Sequence, residues 1–181
     1  MLASGSAWRV LEAEHARLRH LLDAIVRSLD DDAWQDPGPQ LDLLRARIQE
    51  FQDFEVQTHR PKGVVLLSSL RGRLAEADRL LDDIEEEGQK CEDLQAQAVT
   101  MLESVGNGAD PDRAVIASLL RQHCERMIRQ LDLEDTALKA YTAQLLTPQE
   151  WSRVASSISQ EVQRARRASS PGKNQGRRPE G

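Results

Sequence analysis

Residues 110–146 read DPDRAVIASLLRQHCERMIRQLDLEDTALKAYTAQLL, with apolar side chains recurring three and four positions apart at Ile116, Leu120, Met127, Leu138, Tyr141 and Leu145. This is the period of a helix that buries one stripe. Asp110 is expected to cap it, with Pro111 at its first position, where a missing N–H costs nothing. The same stripe also carries His123, Gln130 and Glu134. Polar residues at such positions are not what a core built only for stability would use.

The period continues upstream. Residues 74–105 place Ala77, Leu81, Ile84, Gly88, Cys91, Leu94, Ala98, Leu102 and Val105 on one face, and Gly106-Asn107-Gly108 is expected to end that helix. From Gln40 the stripe is Leu41, Leu44, Ile48, Phe51, Glu55, His59, Leu66 and Leu70, interrupted by Pro61 and Gly63. Proline inside a helix removes a hydrogen bond and clashes with the preceding turn, so a kink or short break is expected at Thr58–Pro61. Residues 6–29 carry Trp8, Leu11, His15, Leu18, Leu22, Ile25 and Leu29, and stop at the loop DDDAWQDPGPQ. His20 falls off this stripe and is expected at the surface. Thr147-Pro148-Gln149-Glu150 is a capping box that opens one more, short helix.

Long helices joined by short loops predict an all-α, up-down-up-down four-helix bundle over residues 1–160. Only 3% of the 181 residues are aromatic, which argues against a sandwich or barrel. The chain has 24 basic and 30 acidic residues, a net charge of −6. From Arg164 onward six basic residues stand against Glu180, so that stretch carries +5 and the rest −11. Such an acidic body is a poor ligand for nucleic acid. Residues 161–181, basic and ending SSPGKNQGRRPEG, are expected to be a disordered tail. No long apolar run suggests a membrane span or a leader. Cys91 and Cys124 match no disulfide or metal spacing and are expected to be buried, reduced thiols, which together suggests a cytoplasmic protein. No nucleophile triad or phosphate-cradling loop appears, so no enzyme activity is expected. The acidic run around Glu85 and Glu86 lies outside the stripe and is expected to be a solvated face. Packing and a dimer contact remain open for Trp8, Trp34 and Trp151.

Facing helices are where bundles assemble cation sites, because imidazoles and carboxylates from different helices converge there. His15 in LEAEHARLRHLLDAI, the segment THRPKGVVLLSSLRGR and the segment QLDLEDTALKAYTAQLLTPQEW together resemble the hemerythrin-like family, the HHE cation-binding domain, over roughly residues 8–155. The resemblance implies a bundle holding a non-haem di-iron centre with several histidines and bridging carboxylates. Carried over by position, His15, His59 and Glu134 are present as ligands. The remaining ligand positions are occupied by Arg60, Gly63, Gly88 and Gln130. A full di-iron centre is therefore not expected. His123 lies seven residues from Gln130, about 10 Å along the axis, and does not simply replace the lost histidine.

Two His and one carboxylate suit a single non-haem iron(II), and also accept zinc or manganese. The sequence thus predicts a degenerate cation site at His15, His59 and Glu134, at most mononuclear, for iron or oxygen sensing or storage. The alternative is a metal-free helical module kept for a protein partner. In that case Glu134 and His59 would form a pH-dependent ion pair.

Overall fold

In the computed structural model of the chain, residues 2–105, 107 and 110–168 are described. Every regular element among them is helical: α1 (Leu2–Leu29), a 3-10 turn (Asp32–Gln35), α2 (Pro39–Phe54), a π-helical turn (Glu55–His59), α3 (Arg60–Leu70), α4 (Ala75–Ser104), α5 (Arg113–Leu133), a second π-helical turn (Glu134–Leu138), α6 (Lys139–Leu145) and α7 (Pro148–Ala168). No helix among the described residues is long and apolar enough to cross a membrane.

The stripes pack as their spacing dictates, and they sort into two apolar clusters. One gathers Leu18–Leu29 positions of α1, Leu41 to Phe51 of α2, Cys91 to Leu102 of α4 and Ile116 to Leu131 of α5. The other gathers Trp8 and Leu11 of α1, Leu66 and Leu70 of α3, Leu81 and Ile84 of α4, Leu138, Leu146, and Trp151 and Val154 of α7. Helix α1, the α2–α3 rod, α4 and the α5–α6 rod each cross from one cluster to the other at a residue that belongs to neither: His15, His59, Gly88 and Glu134. The order of crossing alternates, with α1 and α4 entering the first cluster from the second, and the α2–α3 and α5–α6 rods leaving it. A polar layer therefore lies between two apolar ones.

Several local expectations are corrected. The helix after residue 110 is capped by Asp112, whose carboxylate accepts from the backbone N–H of Ala114 at 2.8 Å and Val115 at 3.3 Å. Asp110 instead pairs with Arg113 at 2.9 Å. No break occurs at Thr58–Pro61. The chain widens by one residue, so that the Arg60 N–H reaches the Glu55 carbonyl, and Pro61 then falls in the first turn of α3, where its missing N–H matters least. On α4, Gln95 is buried where Leu94 was expected, and Leu94 is half-buried. Helix α4 ends at Ser104 with Val105 extended; Gly106 and Gly108 lie outside the described residues.

The capping box forms as expected. Glu150 accepts from the Thr147 N–H at 2.8 Å, and the Glu150 N–H donates to Thr147 Oγ1 at 3.3 Å. The helix it opens is not short, however. It runs 21 residues to Ala168, so residues 161–168 are helical rather than part of a disordered tail. Residues 169–181, the remainder of that expectation, lie outside the described residues. Helix α7 lays Trp151 and Val154 over the second cluster, while Trp8 donates to Thr142 at 2.9 Å beneath it. All three tryptophans are buried within the chain, so their role is packing. Between α3 and α4, Gly72 takes φ +78°, a conformation that side-chain-bearing residues rarely adopt, and its N–H is held by Asp78 at 2.8 Å.

Candidate metal centre

The three residues singled out as ligands meet in the polar layer. His15 comes from α1, His59 from the end of the first π-helical turn, and Glu134 from the start of the second. A π turn inserts one residue into a helix and re-aims the side chains around it, which is why such turns recur at functional sites. All three residues are buried. Glu134 Oε2 lies 3.3 Å from His15 Nε2 and 3.3 Å from His59 Nε2, and the two Nε2 atoms are 3.1 Å apart. Three ligand atoms about 2.1 Å from one ion and about 90–110° apart would be separated by roughly 3.0–3.4 Å. The donor set and its spacing fit a single divalent cation.

His15 is prepared for this. Its Nδ1 lies 2.6 Å from Asp135 Oδ1, and a carboxylate only accepts, so Nδ1 donates there and the ring turns its Nε2 toward Glu134 and His59. Asp135 is itself held by Arg19 at 2.8 Å, which also binds Asp132 at 2.7 Å. Neither Asp135 nor Arg19 was legible as part of the site. Asp135 is off the stripe, and only its place directly after Glu134 hinted at a role.

Burial alone would lower the His59 pKa, but the Glu134 and Glu55 carboxylates outweigh it and raise it to about 10. Burial likewise opposes ionisation of Glu134, yet hydrogen bonds from His15 and His59 hold its carboxyl well below the usual range. His59 Nδ1 is 3.9 Å from Glu55 Oε1, close enough for attraction between charges and too far for a hydrogen bond. Glu55 is kept ionised against its burial by His59 and by Arg60, which binds it at 2.8 Å. Without a cation, His59 and Glu134 are thus an internal ion pair, and a cation must displace the His59 proton.

Beside this cluster, on the side of His59 and Glu134, lies a cavity of about 210 Å3. Arg60, Gly63, Gly88 and Gln130 all line it. These are the four positions at which the chain departs from the ligand pattern of the resemblance. A Cβ built on Gly63 meets nothing within 4 Å, and one on Gly88 comes only within 3.7 Å of Gln130 Oε1. Gln130 donates through Nε2 to Glu134 Oε1 at 3.1 Å. Arg60 carries a positive charge shared between Glu55 and Glu92, each at 2.8 Å. Among the described residues, His15, His59 and Glu134 form the one group of three with the spacing of metal ligands.

His123 is buried on α5, two turns before Gln130, and lines the same cavity, with Nδ1 2.9 Å from the Cys91 carbonyl. His20 is exposed, as are Glu85 and Glu86. Cys91 and Cys124 are buried free thiols, pushed up by burial to about 11 and about 12. They are inert at neutral pH. No protein-family model, curated protein or solved structure matches the chain.

Proposed function

We propose that the protein is a hemerythrin-like, cation-binding helical domain with a single metal site at His15, His59 and Glu134, occupied by non-haem iron(II) for sensing or storing iron or oxygen species. The observation that carries this reading is the triangle of 3.1, 3.3 and 3.3 Å between three buried ligand atoms from three separate segments. The Asp135–His15 bond supports it further, since a ligating imidazole typically donates its other N–H to a carboxylate or carbonyl. A bound iron(II) would supply coordination positions open to a small molecule. The side chains hold the ion, set the His15 tautomer through Asp135, and surrender the His59 proton. The alternating order in which the helices cross the two apolar clusters supports the up-down-up-down bundle that such a site requires.

The test is metal content of the full chain after anaerobic loading with iron(II), zinc or manganese and removal of excess. One ion per chain is expected, and none in His15→Ala. Asp135→Asn should bind about 10–100-fold more weakly while remaining folded. Two ions per chain would overturn the single-site reading. No ion under any condition, with the helical melt intact, would favour the metal-free module and direct attention to a protein partner.

A further inference from the structure

His15, His59 and Glu134 are buried between two apolar clusters, and on the side away from the cavity His15 is tied to Asp135 and Arg19. An ion reaching them from solvent needs a gap in that packing. The cavity beside His59 and Glu134 is such a gap, because its walls run from those two ligands and buried Phe51 out to exposed Val64, Glu85 and Glu92. At about 210 Å3 it has room for several waters, so a hydrated cation can shed its shell in stages. Two rows face each other across its outer part: Arg60, Gly63 and Leu67 of α3, and Glu85, Gly88 and Glu92 of α4, each spaced three or four apart.

Arg60 spans this seam. Its Nε donates to Glu55 Oε1 at 3.3 Å, and its Nη2 lies 2.8 Å from both Glu55 Oε2 and Glu92 Oε1. The inner anchor is firm, with two bonds to a carboxylate that is only 11% exposed. The outer anchor is loose, because the Glu92 side chain is 48% exposed and an exposed ion pair adds little. Behind the guanidinium the charged groups continue inward without a break: Glu55 lies 3.9 Å from His59, and His59 lies 3.3 Å from Glu134. The positive charge of Arg60 thus stands between solvent and the carboxylates that would draw a cation inward.

We propose that the seam between α3 and α4 is the path by which a divalent cation enters and leaves the site at His15, His59 and Glu134, and that the Arg60–Glu92 ion pair is the latch across it. The inference rests on the single-ion reading for what travels the path. Released from Glu92, the guanidinium keeps its bonds to Glu55 and no longer bridges to α4. The catch is weak enough to open on its own, and it closes again because both partners remain at the mouth.

The experiment follows zinc uptake by the full chain, and zinc release to a chromophoric chelator, in the unaltered protein, Glu92→Ala and Gly63→Leu. Glu92→Ala changes no ligand and keeps the Arg60–Glu55 bonds, so uptake and release should both quicken by about two- to fivefold, the worth of one exposed ion pair. Gly63→Leu adds a side chain where a Cβ meets nothing, and should slow both by about tenfold. A barrier delays entry and exit alike, so zinc affinity should be unchanged in both variants, which damage to the site itself would not allow. A second readout needs no metal. Cys91 lines the cavity and Cys124 does not, so in a Cys124→Ala background modification of Cys91 by methyl methanethiosulfonate should be fastest with Glu92→Ala and slowest with Gly63→Leu. Equal Cys91 rates in all three would overturn the latch, as would slower zinc uptake in Glu92→Ala, which would make Glu92 an attractor for the ion. Zinc bound at equal rates by all three would overturn the path and leave the single-ion reading standing. No zinc bound, with the Cys91 order kept, would overturn the single-ion reading and support the latch as the closure of a solvent path.

Discussion

The two oxygens of Glu134 face different interiors. Oε2 is shared by two imidazoles at 3.3 Å, in a cluster where His15 is tied back through Asp135 to Arg19. Oε1 accepts one bond from Gln130 at the edge of a cavity whose lining includes four residues with a buried, unpartnered polar atom, His59, Gln95, His123 and Gln130. The same layer of the same fold is therefore closed on one side and open on the other, and the difference lies in a few side chains. On the closed side the residues are charged and long enough to converge. On the open side Gly63 and Gly88 present no side chain, Gln130 is neutral, and Arg60 brings a charge of the wrong sign for a second cation. Two glycines in helix interiors cost about 1 kcal/mol each, a cost that yields a cavity rather than a packed core.

Glu134→Ala should break this contrast most severely. It removes the carboxylate from a buried pair and strands His59 and Gln130 as well, and breaking a buried pair by deleting one partner costs about 3–5 kcal/mol. Denaturant unfolding of the metal-free chain is the measurement. A loss below about 1 kcal/mol would mean that the cluster behaves like a surface pair, and that the closed side is not closed.

A smaller effect is expected from pH. The folded His59 titrates near 10 instead of 6.5, so its contribution to stability is fully present below pH 6.5 and is lost as pH rises through about 10. Glu134 is shifted the other way from 4.5. Its contribution is present above pH 4.5 and lost as pH falls toward its depressed value. His123, lowered mainly by burial, adds a second loss on the acid side, because below pH 6.5 the unfolded chain takes up a proton that the folded ring resists. The metal-free melting temperature should decline from pH 6.5 toward 10, and the decline should shrink in Glu134→Gln. An equal slope in both proteins would remove His59 from the account.

How much of this was legible follows from what each residue type signals. Apolar spacing located the helices, because burial of one stripe is what the period encodes, and the polar residues on those stripes were readable as an anomaly. The convergence of His15, His59 and Glu134 was reachable only through the resemblance, since spacing places a residue on a face and not at a height between two clusters. The π-helical turns left no local signature. Each inserts one residue, and a Glu or His at that position looks like any other member of the stripe. Gln95 was missed because positions 94 and 95 both keep a three-or-four spacing between Cys91 and Ala98, and hydrophobicity favoured Leu94. The polar residue is buried in the lining of the cavity.

Gly88→Ala should give the smallest effect and the sharpest contrast. In a helix interior alanine is favoured over glycine by about 0.8–1 kcal/mol, partly through the reduced freedom of the unfolded chain. The new Cβ would sit 3.7 Å from Gln130 Oε1, an ordinary contact, with the cavity beyond it. The variant should therefore gain up to about 1 kcal/mol in chemical denaturation, with metal binding at His15, His59 and Glu134 unaltered. A destabilised variant would mean that the open side is already packed in solution, with Gln130 or a neighbour occupying the space. The asymmetry between the two oxygens of Glu134 would then reflect side-chain length alone, and not a cavity maintained in the polar layer.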